Sequence, residues 1–315
     1  MGRANRLTGL ALAAWVALSA AQASEQPVFL PGLRIGLVPP AGMTTSANGQ
    51  GFEDVGERAV IAISEFTPDV FPKVEKEFAV ERLQADGFTV DSHEPVVVNG
   101  AHGLLVVARQ TVGGMALRKW ALLLAADITA VVIAVMPEAA SAAYSDATMR
   151  QVLATVTIRP PLSTEELMDA LPYRLGELAG FRLLRTNAGG TAVLTLGPSD
   201  TTQPSAQPYF ATMMWDAELP SSAEQEALAR RLLGPFVNPG QFKVLRAQSM
   251  RIGGRPGHEI VGEMRDSENG TELSVVQWVR FGTSQHMQML GAARSDQWSA
   301  VFTRMRAIRD GIGTK

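Results

Sequence analysis

His93, His102, His258 and His286 are the only side chains of this sequence with an ordinary titration near neutrality, and no cysteine accompanies them. Thiolate ligands and thiol nucleophiles are therefore absent, and the histidines show no H-x-x-x-H spacing that would turn two of them onto one face toward a metal. His258 and Glu259 are an acid/base pair on paper. Neighbours along a strand point to opposite faces, however, and the residues sharing a face with His258 are Ile260 and Gly262, which neither exchange protons nor hold metals. Ser64, Ser274 and Ser284 stand outside any G-x-S-x-G elbow. The pairs Gly113-Gly114, Gly189-Gly190 and Gly253-Gly254 lie between strand-like runs and read as hairpin turns; none opens a helix with the Walker lysine or the dinucleotide spacing. These residues imply no cofactor and no metal, and hydrolysis is the reading they support least.

Two pairs of large polar and aromatic residues remain. Alternation along a strand puts Arg118 and Trp120 on one face, and Trp278 and Arg280 on one face, at corresponding places in the two halves of the chain. Such pairs either fill space beneath a sheet-covering helix or line a surface for a partner or ligand.

The elements that must position them repeat. Phe88 and Phe242, Val90 and Val244, Val98 and Ile252, Gly100 and Gly254, and Gly103 and Gly257 are each separated by 154 positions, and Trp120 and Trp278 by 158. Apolar residues and turn glycines keeping one register over such a length argue for duplication. Each half then has strand candidates joined by short turns that have no room for a crossover helix, so the sheets are antiparallel. A helix is expected over 70–85 in the first half and over 222–233 in the second, the latter entered through Ser221 or Ser222 with Glu224 or Glu226. A second helix closes each half, over 140–153 and 295–308. The expected fold is α/β, two tandem α/β/α sandwich domains, each with a mainly antiparallel sheet covered by helices. The first domain is 24–159, the linker 160–170, carrying Pro160 and Pro161, and the second domain 171–315. The segment 197–208, with three prolines, reads as an exposed loop.

With strand, helix and turn order in place, each half resembles the PsbP-like fold, which includes the bacterial DcrB-like exported proteins. The local anchors are Phe88 through Gly103 and Phe242 through Gly257. The resemblance brings no catalytic signature and implies a binding or accessory role.

The chain opens with Arg3 and Arg6, an apolar run from Leu7 to Ala21, and the small-x-small triplet Ala21, Gln22, Ala23. This pattern predicts a signal peptide over 1–23 and a periplasmic or secreted protein. The formal net charge is -3, and losing two arginines makes it more acidic. With no basic cluster, nucleic acid is not an expected partner. The apolar stretch 120–136 contains Asp127 near its centre and reads as two strands turning around 125–127, so no integral membrane segment remains after signal removal. The leading functional expectation is a non-enzymatic exported accessory or protein-interaction protein with an envelope protein as partner. The alternative is a small hydrophobic ligand or lipid held in a sheet-helix cleft or at the domain junction.

Overall fold

The computed structural model describes residues 26–315 apart from 47, 48 and 239; the expected signal segment 1–23 lies outside the described residues. The first half contains β1 (Val28–Phe29), β2 (Ile35–Leu37), β3 (Thr44–Thr45), β4 (Gly51–Asp54), β5 (Ala59–Phe66), α1 (Phe71–Glu77), α2 (Val80–Ala85), β6 (Thr89–Val98), β7 (Ala101–Val112), β8 (Met115–Ala125), β9 (Thr129–Pro137), α3 (Asp146–Ala154) and β10 (Thr157–Ile158). After α4 (Thr164–Asp169), the second contains β11 (Tyr173–Leu175), β12 (Arg182–Thr186), β13 (Ala192–Thr195), β14 (Tyr209–Asp216), α5 (Ser222–Leu233), β15 (Lys243–Ile252), β16 (Arg255–Arg265), β17 (Glu272–Phe281), β18 (Gln285–Arg294), α6 (Trp298–Asp310) and β19 (Ile312–Thr314).

Each half builds a seven-stranded antiparallel sheet with one topology. The orders are β3-β4-β5-β9-β8-β7-β6 and β12-β13-β14-β18-β17-β16-β15. The duplication extends to irregularities: the ladder slips between Val90 and Ser92 in one edge strand and between Val244 and Arg246 in the other. Both halves also close on themselves, Ile35 pairing with Ile158 and Leu175 with Ile312.

Period-two alternation divides each sheet between two cores. In the first, Leu105, Trp120, Leu122 and Val132 pack against Met149, Val152 and Leu153 of α3, while Leu104, Val106, Leu123 and Val131 pack against Leu83 and the partly buried Phe71, Val74 and Phe78. In the second, Val276, Trp278 and Met289 pack against Val301, Met305 and Ile308 of α6, while Ile260, Val275 and Val279 meet Ala229 and Leu233 of α5. The result is two α/β/α sandwiches.

Two expected helices are shorter than their patterns. The 70–85 segment breaks into α1 and α2 because Ala79 is extended, at φ -60 and ψ 142; the break lets apolar residues of both pieces reach one core. The 140–153 segment begins as a tight turn and becomes α-helical only after Ser145, whose Oγ accepts from the Thr148 N–H and caps α3. Glu224 accepts from the backbone N–H and the hydroxyl of Ser221 at the start of α5. Ala126 turns the β8–β9 hairpin and Asp127 sits at its tip, 2.7 Å from Arg34, and among the described residues no helix is long and apolar enough to cross a membrane.

Candidate functional site

Trp120 and Trp278 are fully buried beneath α3 and α6. The Trp120 indole N–H donates to Asp146 at 2.8 Å, and Arg118 lies over the ring at 5.2 Å. Arg150 joins Asp146 to Glu94 and Ser92 on β6. Burial opposes ionisation of Asp146, but the Trp120 and Arg150 donors hold its carboxyl below the usual range. The second repeat solves the same problem differently. Trp278 donates to Glu259 of the adjacent strand at 2.7 Å, and Arg246 and Gln248 of β15 satisfy the other carboxylate oxygen. Phe302 stacks on Trp278 at 5.8 Å, and Arg309 lies 4.9 Å from the ring. Arg280, partly buried, turns toward the Ile312 carbonyl. The rings thus fill space and present no area outward; the polar groups beside them are committed to holding helix, strand and edge together. Sequence reasoning did not find Asp146 or Arg150 and weighed Glu259 only beside His258; Asp146 and Arg150 are one helical turn apart, but their contacts with Trp120, Glu94 and Ser92, like that of Glu259 with Trp278, join separate elements.

His93 and His102 are exposed, whereas His258 and His286 are buried on separate strands. His286 contacts the Glu218 carbonyl at 3.0 Å between Trp215 and Phe281. His258 lies on the α5 face, opposite Glu259, and neither ring nitrogen has a hydrogen-bond partner. Burial pushes its pKa below the ordinary 6.5, with Glu226 and Arg230 of α5 and adjacent Glu259 acting through space. The unfolded chain therefore binds a proton that the folded chain refuses, so stability falls as pH drops through 6.5. A urea midpoint that declines between pH 8 and pH 5, with the decline shallower in His258→Leu, is the expected result. Among the described residues no group of three or more His, Asp or Glu is placed to hold a metal ion.

The two sheet edges differ sharply. Strand β6 carries Asp91, Glu94 and Pro95, and proline at an edge removes the N–H that another strand would need. In β15 the position equivalent to Pro95 is Ser249, 154 residues on, and the strand carries Lys243, Arg246 and Arg251 with Val244 and Leu245 exposed, the latter at 51%. Pro256 has no N–H, so its pair with Arg251 is of the non-hydrogen-bonded kind; alternation then turns the backbone groups of Ser249 and Arg251 outward. Among the described residues β15 makes no backbone hydrogen bond except to β16. Pro95 in a strand-like run was the signal that could have revealed the contrast.

A cleft of about 460 Å³ lies where the repeats meet. Arg34 there binds Asp127 and the Arg159 carbonyl, and Arg182 binds Asp200 and the carbonyls of 197–199. Glu65 is buried, accepts from the Arg34 N–H at 3.0 Å, and is raised above the usual carboxyl range by burial. Arg185 lies over Phe66 at 5.4 Å, and burial lowers its pKa. Thr201 bonds Asp69 across the junction at 2.9 Å. Gly32, at φ +78, lets the halves approach; a β-carbon there would come 2.6 Å from the Thr186 carbonyl oxygen.

No protein-family model and no curated protein matches the chain. Among solved structures it is similar to LpqN of Mycobacterium tuberculosis, described as involved in cell envelope biogenesis, at 13% identity and TM-score 0.35, covering 50% of this chain and 99% of that one. It is similar to the PsbP protein CyanoP of Synechocystis sp. PCC 6803 at 9% identity and TM-score 0.27, covering 44% and 88%. The T6SS immunity protein TplEi of Pseudomonas aeruginosa, complexed with an "L" peptide, is 13% identical at TM-score 0.30, covering 92% and 98%. Each is a weak likeness to that protein and none bears on activity.

Proposed function

We propose that the chain is an exported, non-enzymatic protein-interaction protein of the cell envelope, built of two PsbP-like repeats over 24–159 and 171–315. Its partner adds an extended acidic segment to the open edge of the second sheet. The observation that supports this reading is the asymmetry of the two edges: one duplicated strand is closed by Pro95 and carries acidic residues, and its copy is open and basic. Main-chain pairing along an edge supplies affinity, and side chains supply selection. Lys243 and Arg251 oppose pairing with a second copy of the same strand, Arg246 being held by Glu259.

Ser249→Pro is the direct test, since it places in β15 the residue that β6 already accommodates at that position. The expected outcome is loss of a partner that the wild-type protein captures from the native envelope and crosslinks through β15, with the melting temperature nearly unchanged. Capture that survives Ser249→Pro, or crosslinks that avoid β15, would refute the edge-strand reading.

A further inference from the structure

The cleft between the repeats contains a cation with no anion bound to it. Among the described residues Arg185 makes no hydrogen bond and no ion pair; its contacts are the Phe66 ring and the through-space influence of Glu65 and Asp69. Arg34 and Arg182, the other arginines of the cleft, are already occupied by carboxylates and carbonyls. A partly desolvated guanidinium without a partner is costly to keep, and the cost is removed when a ligand supplies the acceptor. Phe66, Ile128, Leu178 and Phe181 give an otherwise polar and charged wall an apolar portion, and the volume suits a small molecule.

We propose that this cleft binds a small amphiphilic monocarboxylate, its head on the Arg185 fork, its apolar body along Phe66, Ile128, Leu178 and Phe181. The planar fork matches one carboxylate through two parallel hydrogen bonds. Asp127 and Asp200 are already paired with Arg34 and Arg182, so Arg185 offers one unpaired positive charge, and the apolar residues favour an amphiphile over inorganic phosphate. The site is independent of the β15 edge, so Ser249→Pro leaves it intact and the two readings fail separately.

Calorimetric titration of the protein with decanoate, decanol and inorganic phosphate tests this. Decanoate is expected to saturate one site per chain, with decanol and phosphate weaker by about tenfold or more, the effect of losing a charge-assisted hydrogen-bond pair. Arg185→Met lowers decanoate affinity by a similar factor and leaves decanol unchanged, while Glu65→Gln, which removes a like charge, tightens decanoate. Ligand-free Arg185→Met melts at the wild-type temperature or above it, because an unpaired desolvated charge has been removed. Absence of saturable decanoate binding, equal binding by Arg185→Met, or a lower melting temperature for that ligand-free variant would each overturn the proposal.

Discussion

Trp278→Ala is expected to remove most of the stability of the second repeat. Replacing a fully buried tryptophan by alanine costs about 3–5 kcal/mol through lost burial and the cavity left behind, and Trp278 fills the space between Phe210, Phe302 and the Arg309 guanidinium. The substitution also takes a donor from Glu259, whose side chain is only 4% exposed. A buried carboxylate short of a donor adds about 1–3 kcal/mol. Trp120→Ala in the first repeat is expected to cost less, because the Asp146 side chain is 37% exposed and water replaces the indole N–H. Urea unfolding with proteolysis mapped to each repeat measures both. Equal losses from the two variants would show that the carboxylate partners do not contribute differently.

Gly103→Ala is the second large effect. Gly103 faces Leu124 in the β7–β8 ladder, and a β-carbon there would overlap the main-chain oxygen of Leu123. Backbone cannot rotate aside as a side chain does, so relief requires opening the β7–β8 ladder near its end, one strand in from the sheet edge. The expected cost is about 3 kcal/mol or more, at or beyond the top of the usual overpacking range. Gly257, its counterpart 154 residues later, has the Val279 oxygen 2.8 Å from the same hypothetical atom and the flexible end of Ile252 beside it, so Gly257→Ala is expected to cost less. Gly100→Ala meets open space at φ +84 and should cost about 1 kcal/mol from backbone strain alone. Thermal and chemical denaturation of the three variants gives the order Gly103, Gly257, Gly100; a Gly103→Ala protein as stable as Gly100→Ala would show that the strands separate there at little cost.

The close approach at Gly103 and Gly257 explains why these glycines kept register in the repeat, although the sequence alone shows them only as landmarks. Pro95 is similar. It was visible as a residue unsuited to a central strand, but its meaning depends on β6 lying at a sheet edge and on Ser249 occupying the same place in the copy.

What the sequence determined by itself was periodic or local: the duplication, the alternation of strands, the hairpin glycines, the serine cap at the start of α5 and the exclusion of thiol chemistry. These survive in one dimension because a strand has a period of two and a cap acts within one turn. Tertiary structure alone decided that both tryptophans are interior, that the indole partner comes from a helix in one repeat and a strand in the other, that one sheet edge is open, and that Arg185 stands without an acceptor between the repeats. Each of these joins residues far apart in the chain, and their burial and distance are set by how sheets, helices and the two halves pack, for which residue order carries no periodic signal.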